Sequence, residues 1–225
     1  MNEFILASRS PRRKSLLRNL IDSFLIVNPD IREDLEKGES PESFVLRIAE
    51  QKAKAAGGMV QPSTGSNFVI IAADTIVVDG DRILGKPADD DQAARMLAAL
   101  RGRRHTVTSG LAVYDLSRER MKTRMVSSEV AMREYTDKEI SDYVASGDPL
   151  DKAGAYAIQN HDFDPAPGFR DCYANVMGLP ICHLAVLFSK MGLKGKEDVA
   201  ERCQDSIGYQ CPVFTGILTE INGKG

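Results

Sequence analysis

Phe68-Val-Ile-Ile-Ala-Ala73, running through Asp74 into Thr75-Ile-Val-Val78, is an apolar stretch with no polar alternation. It predicts a strand buried on both faces, because a half-exposed strand would carry a polar side chain at every second position. Asp79-Gly80 is a tight-turn signal, and Ile83-Leu84 returns as its hairpin partner. A strand covered on two sides needs helices above and below it. Upstream, Ser10-Pro11 opens a helix with Leu16, Leu17 and Leu20 as its buried stripe, and Ser40-Pro41 opens another with Phe44, Val45, Ile48 and Ala49. Serine caps the first free amides of a helix and proline suits its first position.

Further out, Glu3 to Ala7 and Ser23 to Asn28 read as strands, and Pro62 to Asn67 as a loop. Asp90 to Leu100 is helical, and Arg104 to Tyr114 and Met125 to Arg133 read as antiparallel strands. Thr136-Asp-Lys-Glu139 is a capping box over Ile140, Tyr143 and Val144, closed by Gly147. Leu179 to Met191 is the last patterned helix, and the tail from Gly192 to Gly225 is weakly patterned. The fold class is therefore α/β, a mixed sheet flanked by helices.

The 225 residues are 43% hydrophobic and 27% charged, an ordinary globular composition, with a formal charge of -3. That charge argues against nucleic acid as the main partner, so a bound anion must be met by local cations. No run approaches the roughly 18 apolar residues of a membrane span, and the N-terminus lacks a leader pattern, so the expected compartment is the cytoplasm. The cysteines, Cys172, Cys182, Cys203 and Cys211, all fall late in the chain and form no Cys-x-x-Cys pair. They read as reduced thiols rather than as a disulfide framework or a zinc site.

Several residues carry possible chemistry. Ser8-Arg9-Ser10-Pro11-Arg12-Arg13 crowds cations where a helix begins. Arginine there opposes the helix dipole, whereas a bound phosphate would be held by free amides and guanidinium together. The plain alternative is a solvated basic turn. Asp74 interrupts a buried strand and needs a cation, metal or hydrogen bonds, or else it is a turn carboxylate. Lys52 continues the buried stripe of its helix, so its ammonium reaches either a cleft or solvent. Lys86, in Gly85-Lys-Pro87, follows a strand expected beside Asp74. Glu33 follows the second strand, at the end of the sheet where open α/β folds collect ligands. Asp151-Lys-Ala-Gly-Ala-Tyr-Ala-Ile-Gln159 ends on an amide that can both donate and accept, beside small residues that admit a base or sugar, or pack as a strand. Loops for P-loop nucleotides or dinucleotides and the His-Glu-x-x-His zinc motif are absent.

Leu6-Ala-Ser-Arg-Ser-Pro-Arg-Arg13, Arg47-Ile-Ala-Glu-Gln-Lys-Ala53, Ala72-Ala-Asp-Thr75, Gly85-Lys-Pro87, Gly102-Arg-Arg-His-Thr-Val107, Asp151-Lys-Ala-Gly-Ala-Tyr156, Ile158-Gln159 and Asn175-Val-Met-Gly-Leu-Pro180 together resemble the Maf family of nucleotide pyrophosphatases. The resemblance implies two lobes around an elongated sheet, a deep nucleotide cleft, and metal-dependent cleavage of a nucleoside triphosphate to monophosphate and pyrophosphate. Family members also limit cell division or remove non-standard nucleotides. By motif position Asp74 is the general base or the activator bound to metal, and Ser10, Arg13, Glu33, Lys52 and Lys86 are phosphate and metal contacts. In the subgroup that takes dTTP and UTP, the positions of Arg13, Thr75 and Gln159 help set specificity, and all three residues are kept here. The ion expected between Glu33 and Asp74 is magnesium, with manganese as the alternative, because the donors are oxygens.

Residues 1–191 correspond to that domain and 192–225 form a C-terminal extension. The segment from Asn160 to Ala174 departs from the family pattern, and its two prolines oppose a paired strand. The tail is expected to pack on the second lobe or on the partner in a homodimer. The competing reading is a nucleotide-binding regulator of division that acts through a protein partner with little turnover; Asp74, Lys52 and Lys86 favour the enzyme.

Overall fold

In the computed structural model, residues 2–61 and 67–222 are described; the loop expected at Pro62 to Asn67 lies outside them up to residue 66. The sheet comprises β1 (Asn2–Ala7), β2 (Leu25–Val27), β3 (Asn67–Asp79), β4 (Arg82–Leu84), β5 (Arg104–Asp115) and β6 (Arg120–Ala131). Their order is β2-β1-β3-β5-β6, with β4 also on β3. β1 runs parallel to β2 and β3, and the remaining pairings are antiparallel. The helices are α1 (Pro11–Leu17), α2 (Pro41–Gly58), α3 (Asp90–Leu100), α4 (Asp137–Ala145), α5 (Tyr173–Val176), α6 (Ile181–Lys190), α7 (Val199–Ile207) and α8 (Phe214–Asn222).

The strand expected to be buried on both faces lies at the centre: Val69, Ile70, Ile71, Ala72 and Ala73 are all 0% exposed. Side chains alternate across a strand. Ile70 and Ala72 therefore join Ala49, Ala53 and Ala56 of α2, while Val69, Ile71 and Ala73 join α1 and α6 on the opposite face. Farther along, Val77, Val107 and Val130 pack with α3, α4 and the segment from Ala155 to Phe169 as a second lobe.

The sheet has a gap at its centre. β1 pairs with β3 only as far as Leu6 opposite Ile71, and β4 takes up that edge only from Val77 opposite Leu84. Between them Ala72 to Ile76 has β5 on one side and, among the described residues, no strand on the other. Asp74 sits in the middle of this open edge. β4 thus lies beside Val77 to Asp79, three residues beyond the position expected for it. β6 begins and ends earlier than its apolar pattern suggested, and β2 is shorter at both ends.

The expected caps are present. Ser40 accepts the Ser43 amide at 3.2 Å, and Thr136 and Glu139 complete both halves of their box. The two prolines behave as anticipated: residues 160–172 form turns, with no strand. The tail forms α7 and α8: Val199, Ala200, Cys203 and Ile217 pack with α6 and Leu20 in the first-lobe core, while Tyr209, between the two helices, packs on the second lobe against Phe169 and Tyr173. Short helices with interrupted stripes are stabilised by packing rather than by their own pattern, which is why the sequence hid them. All four cysteines are free thiols.

Gly110 pairs with Asp74 across the sheet, and a Cβ there would stand 2.2 Å from the Val45 carbonyl oxygen of α2. Backbone cannot yield cheaply, so this glycine sets how closely α2 lies on β5. Gly110→Ala is expected to cost about 1–3 kcal/mol, as overpacked cores do, read as a lower denaturant midpoint; unchanged stability would refute this role.

Candidate active site

The sheet gap opens into a cleft of ≈610 Å³. Ser10, Arg13, Glu33, Lys52, Asp74, Thr75, Lys86 and Gln159 all line it, so every residue singled out in the sequence meets there. Six cations (Arg9, Arg12, Arg13, Lys52, Lys86, Lys152) face four carboxylates (Glu33, Asp74, Asp148, Asp151) in its walls. An acidic chain has thereby assembled a cavity suited to a polyanion.

α2 delivers Lys52 to the open edge of β3. Its Nζ lies 2.8 Å from Asp74 Oδ1 and 2.8 Å from Glu33 Oε1. The Asp74 side chain is 6% exposed, that of Lys52 11% and that of Glu33 50%, so the triad runs from the core to the cleft mouth. Burying an unpaired carboxylate would cost several kcal/mol. Asp74 is instead paired with the ammonium, not spent on a turn amide, and Lys52 is directed inward rather than snorkelling. Its contact takes Oδ1 and leaves Oδ2 outside that pair.

Arg13 works on the other face of β3. Its Nε donates to the Gly178 carbonyl at 2.8 Å and its Nη2 to Thr75 Oγ1 at 3.2 Å. Thr75 Oγ1 also shares a 2.8 Å hydrogen bond with Ser109 Oγ. Gly178 turns at φ 105°, a conformation that favours glycine, and so offers its carbonyl to the guanidinium. Burial lowers the Arg13 pKa while the charges of Asp74 and Glu33 raise it, and an arginine remains charged throughout. The basic turn is therefore not simply solvated. Ser10 caps α1 by accepting the Arg13 amide at 3.4 Å.

Gln159 is held by its neighbours. Ala157 donates its amide to the Tyr143 hydroxyl at 2.9 Å, and that hydroxyl donates to Asp148 Oδ2 at 2.7 Å. Tyr173 Oη donates to the Ile158 carbonyl at 2.8 Å. Tyr156, just before them, shares a 2.7 Å hydrogen bond with His105 Nε2. These residues form short turns rather than a packed strand. Lys86, on the exposed loop after β4, reaches the cleft from the far lobe.

Three participants were quoted within motifs but given no role. Arg12 lines the cleft, and its buried Nε has no hydrogen-bond partner among the described residues. Lys152 is 7% exposed and paired with Asp148 and Asp151 at 2.9 and 2.5 Å. Gly178 is the carbonyl that fixes Arg13. The cationic cluster could have pointed to Arg12; only tertiary contact reveals the other two.

Among the described residues no three His, Cys, Asp or Glu side chains stand ready to hold a metal. Glu33 and Asp74 both contact the Lys52 ammonium, so the chain offers two carboxylates beside it. That suits an ion such as magnesium, which typically takes one or two carboxylates and completes its shell with water and substrate phosphate.

The Maf-like protein family model matches residues 3–191. This chain belongs to that family. Curated relatives agree: a dTTP/UTP pyrophosphatase of Pelotomaculum thermopropionicum is 41% identical over 192 residues, covering 85% of this chain and 98% of its own. One of Geotalea uraniireducens, named likewise, is 42% identical over 191 residues, covering 85% and 96%. Among solved structures, the Ham1 protein of Staphylococcus aureus overlaps 60% of this chain and 72% of its own, at 18% identity and a TM-score of 0.38. A dITP/XTP pyrophosphatase of Mycobacterium abscessus overlaps 59% and 73%, at 19% identity and a TM-score of 0.32. Overlaps so partial carry no weight for the fold. The tail from Gly192 onward lies beyond the matched span. No helix among the described residues is long and apolar enough to cross a membrane.

Burial holds the His105 pKa down to about 4, from an ordinary 6.5, and does the same to His183. Below pH 6.5 the unfolded chain binds protons that the folded chain refuses until about 4, so stability is full above 6.5 and lost as pH falls through this window. The denaturant midpoint is expected to decline from pH 6.5 to 4, and His105→Gln to flatten part of that slope; an identical slope in the variant would contradict a neutral buried imidazole.

Proposed function

We propose that the chain is a nucleoside triphosphate pyrophosphatase that hydrolyses dTTP and UTP to the monophosphate and pyrophosphate, in the cytoplasm. The observation that carries this reading is the Asp74–Lys52–Glu33 triad at the base of a cationic cleft. A pure binder has no need of a partly buried carboxylate beside the phosphates. The Maf-like match and the printed activity of relatives about 40% identical support the same reading.

Asp74 is the general base. Lys52 orients it through Oδ1, leaving Oδ2 to accept a proton from water as the oxygen attacks the α-phosphorus. The bond from that phosphorus to the bridging oxygen breaks, and pyrophosphate leaves with the electron pair. Arg12, Arg13, Lys52 and Lys86 stabilise the negative charge that grows on the leaving group, and the unpartnered Nε–H of Arg12 is a donor available for a phosphate oxygen. The Ser10 hydroxyl contacts phosphate at the start of α1. Glu33 and Asp74 would hold a divalent cation, magnesium or else manganese, which when bound supplies Lewis-acid neutralisation of phosphate charge. Thr75 and Gln159, with Arg13, read the base: the Gln159 amide can pair with the edge of a pyrimidine, and Arg13 is locked in place by Gly178 and Thr75.

Pyrophosphate release measured over a panel of nucleoside triphosphates with magnesium is expected to favour dTTP and UTP. Asp74→Asn should lower kcat by about 100-fold or more, the usual worth of a general base. Full turnover in that variant would remove Asp74 from the chemistry, and absence of turnover with any metal would return the regulator reading. Tyr143→Phe leaves the Ala157 amide without its acceptor, so KM for dTTP is expected to rise with kcat little altered; unchanged kinetics would detach this support from base recognition.

A further inference from the structure

The chain's four cysteines, on four separate segments, meet in the fold. Cys172 precedes α5, Cys182 lies in α6, Cys203 in α7 and Cys211 in the connection to α8. All four line one small cavity of ≈10 Å³ between the tail and the family-matched domain. Most of the remaining lining is apolar, with Ile181, Ala200, Phe214 and Ile217 among it. The volume is that of a single atom or water. Water needs two to four polar partners to reside in such a space, and thiols are weak ones. Four cysteines lining one void offer a ligand set for a soft metal ion instead, since thiolates select zinc-class ions and a ligand set of four cysteines is a closed structural site.

We propose that Cys172, Cys182, Cys203 and Cys211 bind one soft divalent ion of the zinc class, which ties the C-terminal helices to the catalytic domain. Two ligands come from the matched span, which ends at residue 191, and two from the tail beyond it. Among the described residues no three His, Cys, Asp or Glu side chains are already placed to hold a metal ion. Binding therefore has to draw the sulfurs inward over the void, by rotation about χ1 and adjustment of the short segments that carry them. Binding exchanges thiol protons for the ion and therefore strengthens as pH rises. His183, beside Cys182 in sequence, does not line this cavity; it faces the charges of Arg124 and Glu220, which leaves the ligand set all sulfur.

The test uses the reduced full-length chain, titrated with Zn²⁺ and then Cd²⁺ against a chromophoric chelator. Expected are one ion per chain at this site, proton release, a thiolate-to-cadmium charge-transfer band and a melting temperature that rises with free metal. Cys211→Ser, at a partly exposed position, and Cys203→Ser should each abolish the band, whereas Glu33→Gln with Asp74→Asn should keep it, which separates this site from the cleft. A chain that yields no thiolate band, a band that survives both serine variants, or cysteines found joined as disulfides would each overturn the proposal.

Discussion

The rest of the molecule is arranged around one ammonium group held between two carboxylates. Lys52 touches Asp74 and Glu33 at 2.8 Å each, and a carboxylate in the middle of a core strand is tolerable only with such a partner. The requirement propagates outward. α2 must lie close on the sheet, so β5 carries glycine opposite Asp74 at Gly110. The edge of β3 must stay open where a ligand enters, so β1 stops pairing at Ile71 and β4 begins only at Val77. A stretch of strand whose outer hydrogen-bonding edge has no strand partner is usually a liability; here it forms the floor of the cleft.

Consecutive residues divide the work because side chains alternate across a strand. Asp74 turns toward α2 and meets Lys52, while Thr75 turns the other way and meets Arg13, Ser109 and the Gly178 carbonyl. One strand thus anchors both the proposed hydrolytic chemistry and one part of the proposed base recognition. The second lobe contributes the remainder through Tyr143, Asp148 and Tyr173, whose hydrogen bonds fix the backbone around Gln159. That backbone lies in turns, without a ladder to support it, so side-chain hydroxyls take the place of strand neighbours.

The C-terminal helices extend the first-lobe core rather than adding a separate one. Val199, Ala200 and Ile217 complete the cluster that α1 and α6 begin, and Arg124 of β6 pairs with Glu220 of α8 through two hydrogen bonds. The Asn19 amide donates to Ser206 Oγ at 2.8 Å, joining the turn after α1 to α7. The tail therefore backs the elements that present Arg12 and Arg13 to the cleft.

The sequence by itself determined the central strand, both serine-capped helices and the capping box, because burial on two faces and the needs of free helix amides are local, periodic demands on residue type. It also marked each residue that lines the cleft with a predicted role, since a buried aspartate, an inward lysine and crowded arginines are each anomalous in their own segment. Tertiary structure alone decided the gap at β3, the carbonyl of Gly178 beneath Arg13 and the place of Lys152, because these depend on register and on contacts between distant segments. It likewise formed α7 and α8 from a stretch with little pattern and gathered four scattered cysteines. Packing against an existing core stabilises short helices that their own composition would leave marginal, and no local feature of a chain records which surface will receive them.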